Sequence, residues 1–184
     1  MIINETIHKF NDIGVTLIKS GHFHNFAGLI TNNLELGKYE CTPLNTHLFA
    51  FSGGDGVHFS YLEINNEISP IIMTVPATAG KSADEYNLII AETFDELLGL
   101  GYYNGWSGLD GYFYYPNQTL FEYGDNQVEY GFSNQNEIIF LNEVISQFCV
   151  KPVFLDEDRL KYLKEKYFTF LEFDPEFFNF IFLI

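Results

Sequence analysis

Apolar residues at Ile3, Ile7 and Phe10, with Leu17 further on, recur near the spacing of one helical face, and Gly14 and Gly21 limit the segment. This predicts an N-terminal helix. The pattern then changes. Two apolar runs, Leu48-Phe-Ala-Phe and Val57-His-Phe-Ser-Tyr-Leu-Glu-Ile, flank the cluster Ser52-Gly-Gly-Asp-Gly, which reads as a turn. In the second run Val57, Phe59, Tyr61 and Glu63 share one strand face and His58, Ser60, Leu62 and Ile64 the other, so both faces are largely covered. Asn65-Asn66 reads as a further turn into Pro70-Ile-Ile-Met-Thr-Val-Pro76, a strand fenced by prolines. The last two runs predict an antiparallel meander.

Beyond a polar loop at 80–84, Leu88-Ile-Ile-Ala is a third short apolar run. Thr93-Phe-Asp-Glu96 matches a capping box, in which hydroxyl and carboxylate reciprocally satisfy free N–H groups at a helix start. The helix it opens presents Phe94, Leu97 and Leu98 and ends near Gly99 or Gly101. Residues 102–135, rich in Gly, Asn and Tyr, show no clear period. Ile138, Leu141, Ile145 and Phe148 then follow helical spacing up to Pro152, and Asp156 is placed to cap a last helix with the core face Leu160, Leu163, Tyr167 and Leu171. No internal repeat or linker divides the chain. The expectation is a single α+β domain over 1–184, with an antiparallel sheet of about four to six strands flanked by N- and C-terminal helices and a Tyr/Gly-rich insertion around 102–135.

Composition changes this picture mainly through charge. A chain of 184 residues, 47% hydrophobic with 20 Phe and 12 Tyr, can bury a sizeable core, so its net charge of -16 belongs to a folded acidic protein rather than a disordered one. From Ser82 to Val150 there is no Lys or Arg, while eleven carboxylates occur from Asp84 to Glu143. Such a field steers a basic protein and repels nucleic acid and anionic membrane, which are bound through Lys and Arg. The N-terminus lacks a basic, apolar leader, which favours a cytoplasmic location. Cys41 and Cys149 are isolated and read as small buried hydrophobes rather than a disulfide or metal framework. The apolar run Phe177–Ile184 is far shorter than the roughly 20 residues of a membrane span. It packs as a terminal strand or helix edge or forms a sticky interface, leaving a monomer and a weak homodimer both open.

The order helix, strand meander, capped helix and C-terminal helices resembles the SUKH superfamily, which includes fungal cell-wall-assembly regulators and bacterial toxin-immunity proteins. The residues that carry the resemblance are Gly53-Gly-Asp-Gly-Val-His-Phe-Ser-Tyr-Leu, Ser69-Pro-Ile-Ile-Met-Thr-Val-Pro, Ile90-Ala-Glu-Thr-Phe-Asp-Glu-Leu-Leu and Phe148-Cys-Val-Lys-Pro-Val with the helix after it. The 102–135 segment departs from a minimal member. The resemblance implies a non-enzymatic binding module, with an acidic immunity protein against a basic, often nuclease, toxin as the leading expectation. A regulatory or scaffold protein for cell-envelope or signalling partners is the alternative it also implies.

Candidate chemistry is sparse. One Asp among Gly53, Gly54, Asp55 and Gly56 is too few oxygens for calcium, and no Lys-Ser/Thr closes a P-loop, so these residues are expected to form a structural turn with Asp55 as a cap. His22 and His24 form an HxH pair which, with Asp55 and His58, is the basis of a third reading as a metal-dependent hydrolase. The ligand set is poor, and no metal or cofactor is expected. Gly105-Trp-Ser-Gly-Leu falls short of a nucleophile elbow, and Asp95 and Glu96 diverge on a helix rather than forming an acid/base pair. Seven aromatics between Tyr102 and Tyr115 either pack a core or, set among Asp110, Glu122 and Asp125, anchor a protein partner. Trp106, Asp110, Tyr112, Glu122 and Asp125 are the partner-binding candidates.

Overall fold

The computed structural model describes residues 2–31, 38–65, 68–78, 80, 82–123 and 134–177. They form one four-stranded antiparallel sheet with helices before and after it, an α+β fold. Helix α1 (Ile2–Lys19) buries Ile3, Phe10 and Ile13. Gly14 lies inside this helix rather than at its end, because a Cβ there would stand 2.2 Å from the Phe26 ring. The stop is Gly21, whose left-handed φ of 92° lets His22 N–H reach the Leu17 carbonyl and Gly21 N–H the Ile18 carbonyl, each at 3.0 Å.

Strands β1 (His47–Phe51), β2 (His58–Tyr61), β3 (Ile71–Thr74) and β4 (Asn87–Ala91) lie in chain order. The expected long strand over 57–64 is shorter than its pattern, since Glu63 and Ile64 fall outside it and are exposed. His58 pairs with Thr74, and Thr74 with Asn87, so these polar side chains share one sheet face. That face is covered by the 41–46 segment: Thr42 bonds His58 at 2.9 Å, and the Asn87 amide donates to the Cys41 carbonyl at 3.0 Å. On the opposite face the Tyr61 hydroxyl donates to Asn4 of α1 at 2.8 Å, and Phe59 is fully buried.

Helix α2 (Phe94–Leu100) opens on the expected cap, with Thr93 Oγ1 accepting from Glu96 N–H at 3.2 Å. The Glu96 carboxylate reaches one residue further back than a standard capping box, accepting from Glu92 N–H at 2.6 Å. The region read as aperiodic holds two short helices, α3 (Gly111–Tyr114) and α4 (Pro116–Tyr123). Helix α5 (Gln135–Phe148) buries Phe140, Leu141 and Val144, so its core stripe is rotated from the expected Ile138, Leu141, Ile145 and Phe148. Helix α6 (Glu157–Tyr167) starts at Asp156, which accepts from Arg159 N–H at 2.7 Å, and buries Leu163 and Tyr167 as expected, with Leu171 beyond. Among the described residues no helix is long and apolar enough to cross a membrane. The apolar run at 178–184 lies outside them.

Candidate functional site

The aromatic segment after α2 divides into a buried and an exposed half. Gly101 ends α2, and a Cβ on it would stand 2.3 Å from the Trp106 indole, so the chain folds back with the ring beneath its own helix. The indole N–H donates to the Leu97 carbonyl at 2.7 Å, and the ring meets Phe10 edge-on with centroids 5.5 Å apart. Trp106 is 0% exposed. Tyr112 is buried too, its hydroxyl donating to the Leu155 carbonyl at 3.1 Å. Both are core side chains whose polar atoms are satisfied internally, which corrects the expectation that they contact a partner. Tyr114 and Tyr115 remain at the surface, 41% and 68% exposed, with ring centroids 6.5 Å apart.

The same fold-back accounts for Ser107. Trp106 and Ser107 N–H both donate to the Ala27 carbonyl, at 2.6 and 3.1 Å. Gly28, at φ 86°, lets the Ser107 backbone approach where any Cβ would collide. Ser107 therefore belongs to a docked turn rather than a strand-to-helix elbow.

The glycine turn between β1 and β2 is structural at two of its four positions. Gly53 has φ 93° and Gly56 φ 73°, and a Cβ on Gly56 would come within 2.5 Å of the Tyr39 hydroxyl. Gly54 has ordinary backbone and open space around it, so nothing in the turn requires glycine there. The capping oxygen is Ser52 Oγ, which accepts from Gly54 N–H at 3.4 Å, in place of the expected Asp55. Asp55, at φ 48°, is exposed, and its charge acts on Asp110 and Tyr114.

The structure thus brings together two residues that the sequence placed in separate features. Burial holds the Asp110 carboxyl above its usual range and the Asp55 charge raises it further, with partial relief from the backbone amides of Asp110 and Gly111. Neither carboxylate has an ion-pair partner among the described residues. Asp55 and the half-buried Asp110 lie within electrostatic reach of each other and of Tyr114, whose ring neighbours that of Tyr115. Glu122 falls on α4, and Asp125 lies outside the described residues.

The acidic run is partly neutralised from beyond its own end, which corrects its reading as an uncompensated field. Arg159 reaches Glu92 at 2.9 Å and Glu96 at 2.6 Å, Lys166 reaches Glu92 at 2.9 Å, and Lys164 reaches Asp84 at 2.7 Å. Burial alone would raise the Glu92 carboxyl, but bonds from Tyr167, Lys166 and Arg159 override it and hold the group at about 2. These cations were missed, although Arg159 and Lys166, seven residues apart, flank the apolar stripe of α6 and so had to reach the surface it covers.

The candidate histidines bond within the fold, although His24 Nε2 is buried without a hydrogen-bond partner among the described residues. His58 Nδ1 bonds the Gly56 carbonyl at 2.8 Å, its Nε2 pairs with the Thr42 hydroxyl, and burial lowers its pKa. His24 stacks on Phe140 at 4.5 Å and accepts from Phe26 N–H at 3.1 Å, and His22 bonds Asn136 at 3.2 Å. Among the described residues no group of three or more His, Cys, Asp or Glu could hold a metal ion. Cys41 is buried, which pushes its thiol up to about 11, whereas Cys149 is exposed at the left-handed C-cap of α5, against its expected burial. No protein-family model, no curated protein and no solved structure matches the chain.

Proposed function

We propose that this is a non-catalytic acidic binding protein that engages a basic protein, in the manner of an immunity protein holding a cognate toxin at a fixed stoichiometry in the producing cell's cytoplasm. The observation that carries the reading is the Asp55–Asp110 pair: a half-buried carboxylate within electrostatic reach of an exposed one, neither with an ion-pair partner among the described residues, near two exposed tyrosines. A Lys or Arg from a partner would offset the burial that chiefly raises Asp110 and the weaker Asp55 repulsion added to it, and Tyr114 and Tyr115 offer rigid contact area nearby. The charge balance agrees. Four of the nine Lys and Arg sit on α6, three of them turned onto Asp84, Glu92 and Glu96, so the positive charge is drawn to one helix of a chain whose net charge is -16. The SUKH-like sequence order supports the immunity reading in particular. Its test is co-expression with the product of the neighbouring reading frame: the protein should restore growth of cells producing a toxic, basic neighbour and co-purify with it at constant stoichiometry. A neighbour that is neither toxic nor bound would contradict the reading.

A further inference from the structure

Helices α1 and α5 pack side by side and leave a groove between them of about 220 Å³. Its size suits one long side chain, being below the roughly 300–1,000 Å³ of small-molecule sites. Positions 9, 12, 13 and 17 of α1 follow one helical face, and 143 and 147 of α5 are one turn apart, so both walls come from regular backbone. Partly buried Leu17 and buried Ile13 form an apolar floor. Asp12 and Glu143 are exposed on opposite walls, and neither has an ion-pair partner among the described residues. The Gln147 amide donates to Glu143 at 2.7 Å.

Lys9 also lines the groove and is the cation that could have closed it. Its ammonium is instead turned onto the Gln147 carbonyl at 2.8 Å and over the Phe148 ring, 4.4 Å from the centroid. The result is an apolar trough with a carboxylate on either wall and its one resident cation drawn aside.

We propose that this groove receives an arginine side chain presented by the basic partner, a second contact that rests on the binding-protein reading above. The aliphatic stem lies on Ile13 and Leu17, and the guanidinium lies between Asp12 and Glu143. Arginine is favoured over lysine because its planar group carries five donors and can face acceptors on two sides, whereas an ammonium is a compact and more strongly hydrated charge. Long cationic side chains bury their stems on apolar surface while keeping the head at a polar rim, which is the arrangement this groove offers.

The test uses the intact protein and N-acetyl-arginine amide as probe, with the citrulline compound as its uncharged counterpart, followed through the methyl signals of Ile13 and Leu17. The arginine compound should shift both signals saturably, and the citrulline compound should bind on the order of tenfold more weakly, reflecting the lost charge assistance. The double variant Asp12→Asn/Glu143→Gln should lose the response while its melting temperature stays near that of the wild type, and Asp55→Asn should leave it intact. Equal response to citrulline, an undiminished response in the double variant, or no saturable shift at Ile13 and Leu17 would each overturn the assignment. A basic partner that bound the double variant as tightly as wild type would also overturn it, while leaving the binding-protein reading standing.

Discussion

Arg159 donates to Glu96 through Nε at 2.9 Å and through Nη2 at 2.6 Å, and the same Nη2 reaches Glu92 at 2.9 Å. One guanidinium thereby ties α6 to the end of β4 and to the carboxylate that helps cap α2. The three side chains are 16–26% exposed, between a surface pair and a buried one. Arg159→Ala should destabilise the protein by about 1–3 kcal/mol, above the 0–1 kcal/mol of an exposed pair and below the 3–5 kcal/mol of a fully buried one. Arg159→Lys should recover only part of that, because a point charge cannot span both acids. Chemical denaturation of the two variants measures both.

Acid should act on the same network. Glu92 is held at about 2 in the folded protein against an ordinary 4.5, so its contribution is complete above about 4.5 and is lost as pH falls from there toward 2. Asp84 shifts in the same direction, through its bonds from Lys164 and Ser82. His24 and His58 are lowered from 6.5, both mainly by burial. A buried base of this kind is neutral in the folded state, so its contribution is complete above 6.5 and declines as pH falls below it. Stability should therefore begin to fall below about pH 6.5 and fall further below about 4.5. Urea denaturation at half-unit pH steps checks this, and Glu92→Gln should flatten the lower limb only.

The glycine turn separates two kinds of glycine. Gly56→Val should cost about 1–3 kcal/mol, because a side chain there takes a left-handed φ and displaces the Tyr39 hydroxyl. Gly54→Ala should stay within about 0.5 kcal/mol of wild type, since the space is open and the backbone ordinary. Thermal melting of the pair distinguishes them.

Trp106 should behave as a core residue. Trp106→Ala should cost about 3–5 kcal/mol by leaving a cavity beneath α2 and an unfilled Leu97 carbonyl. In the folded fraction of the milder Trp106→Phe, binding of a basic partner should be unchanged, and calorimetric titration at a temperature well below its melting point would show this.

Local signals carried most of the fold. The Thr93 and Asp156 caps, the Gly21 stop, the run at His58–Tyr61 and the proline-fenced run at Ile71–Thr74 are written in short windows, and a helix or strand formed at each, β2 over a shorter span than its pattern. Long-range pairing was not legible in this way. Gly14 looked like a helix stop because its partner, Phe26, lies in another segment, and Trp106 stayed open between core and partner anchor because Gly101 and Leu97, which bury it, act only once α2 turns back. The acidic run looked uncompensated because its counter-charges, Arg159, Lys164 and Lys166, come after its end. The electrostatic coupling of Asp55 to Asp110 depends on two turns 55 residues apart in sequence.

The most direct test of an acidic binding surface around that pair is the association rate with the basic product of the neighbouring reading frame, measured against ionic strength for wild type and Asp55→Asn/Asp110→Asn. Electrostatic steering predicts a rate that falls steeply, by roughly 10–10³ from low to high salt, and a double variant that associates more slowly at low salt and converges with wild type at high salt. Association that is independent of salt, or equally fast in the double variant at every salt concentration, would contradict the account.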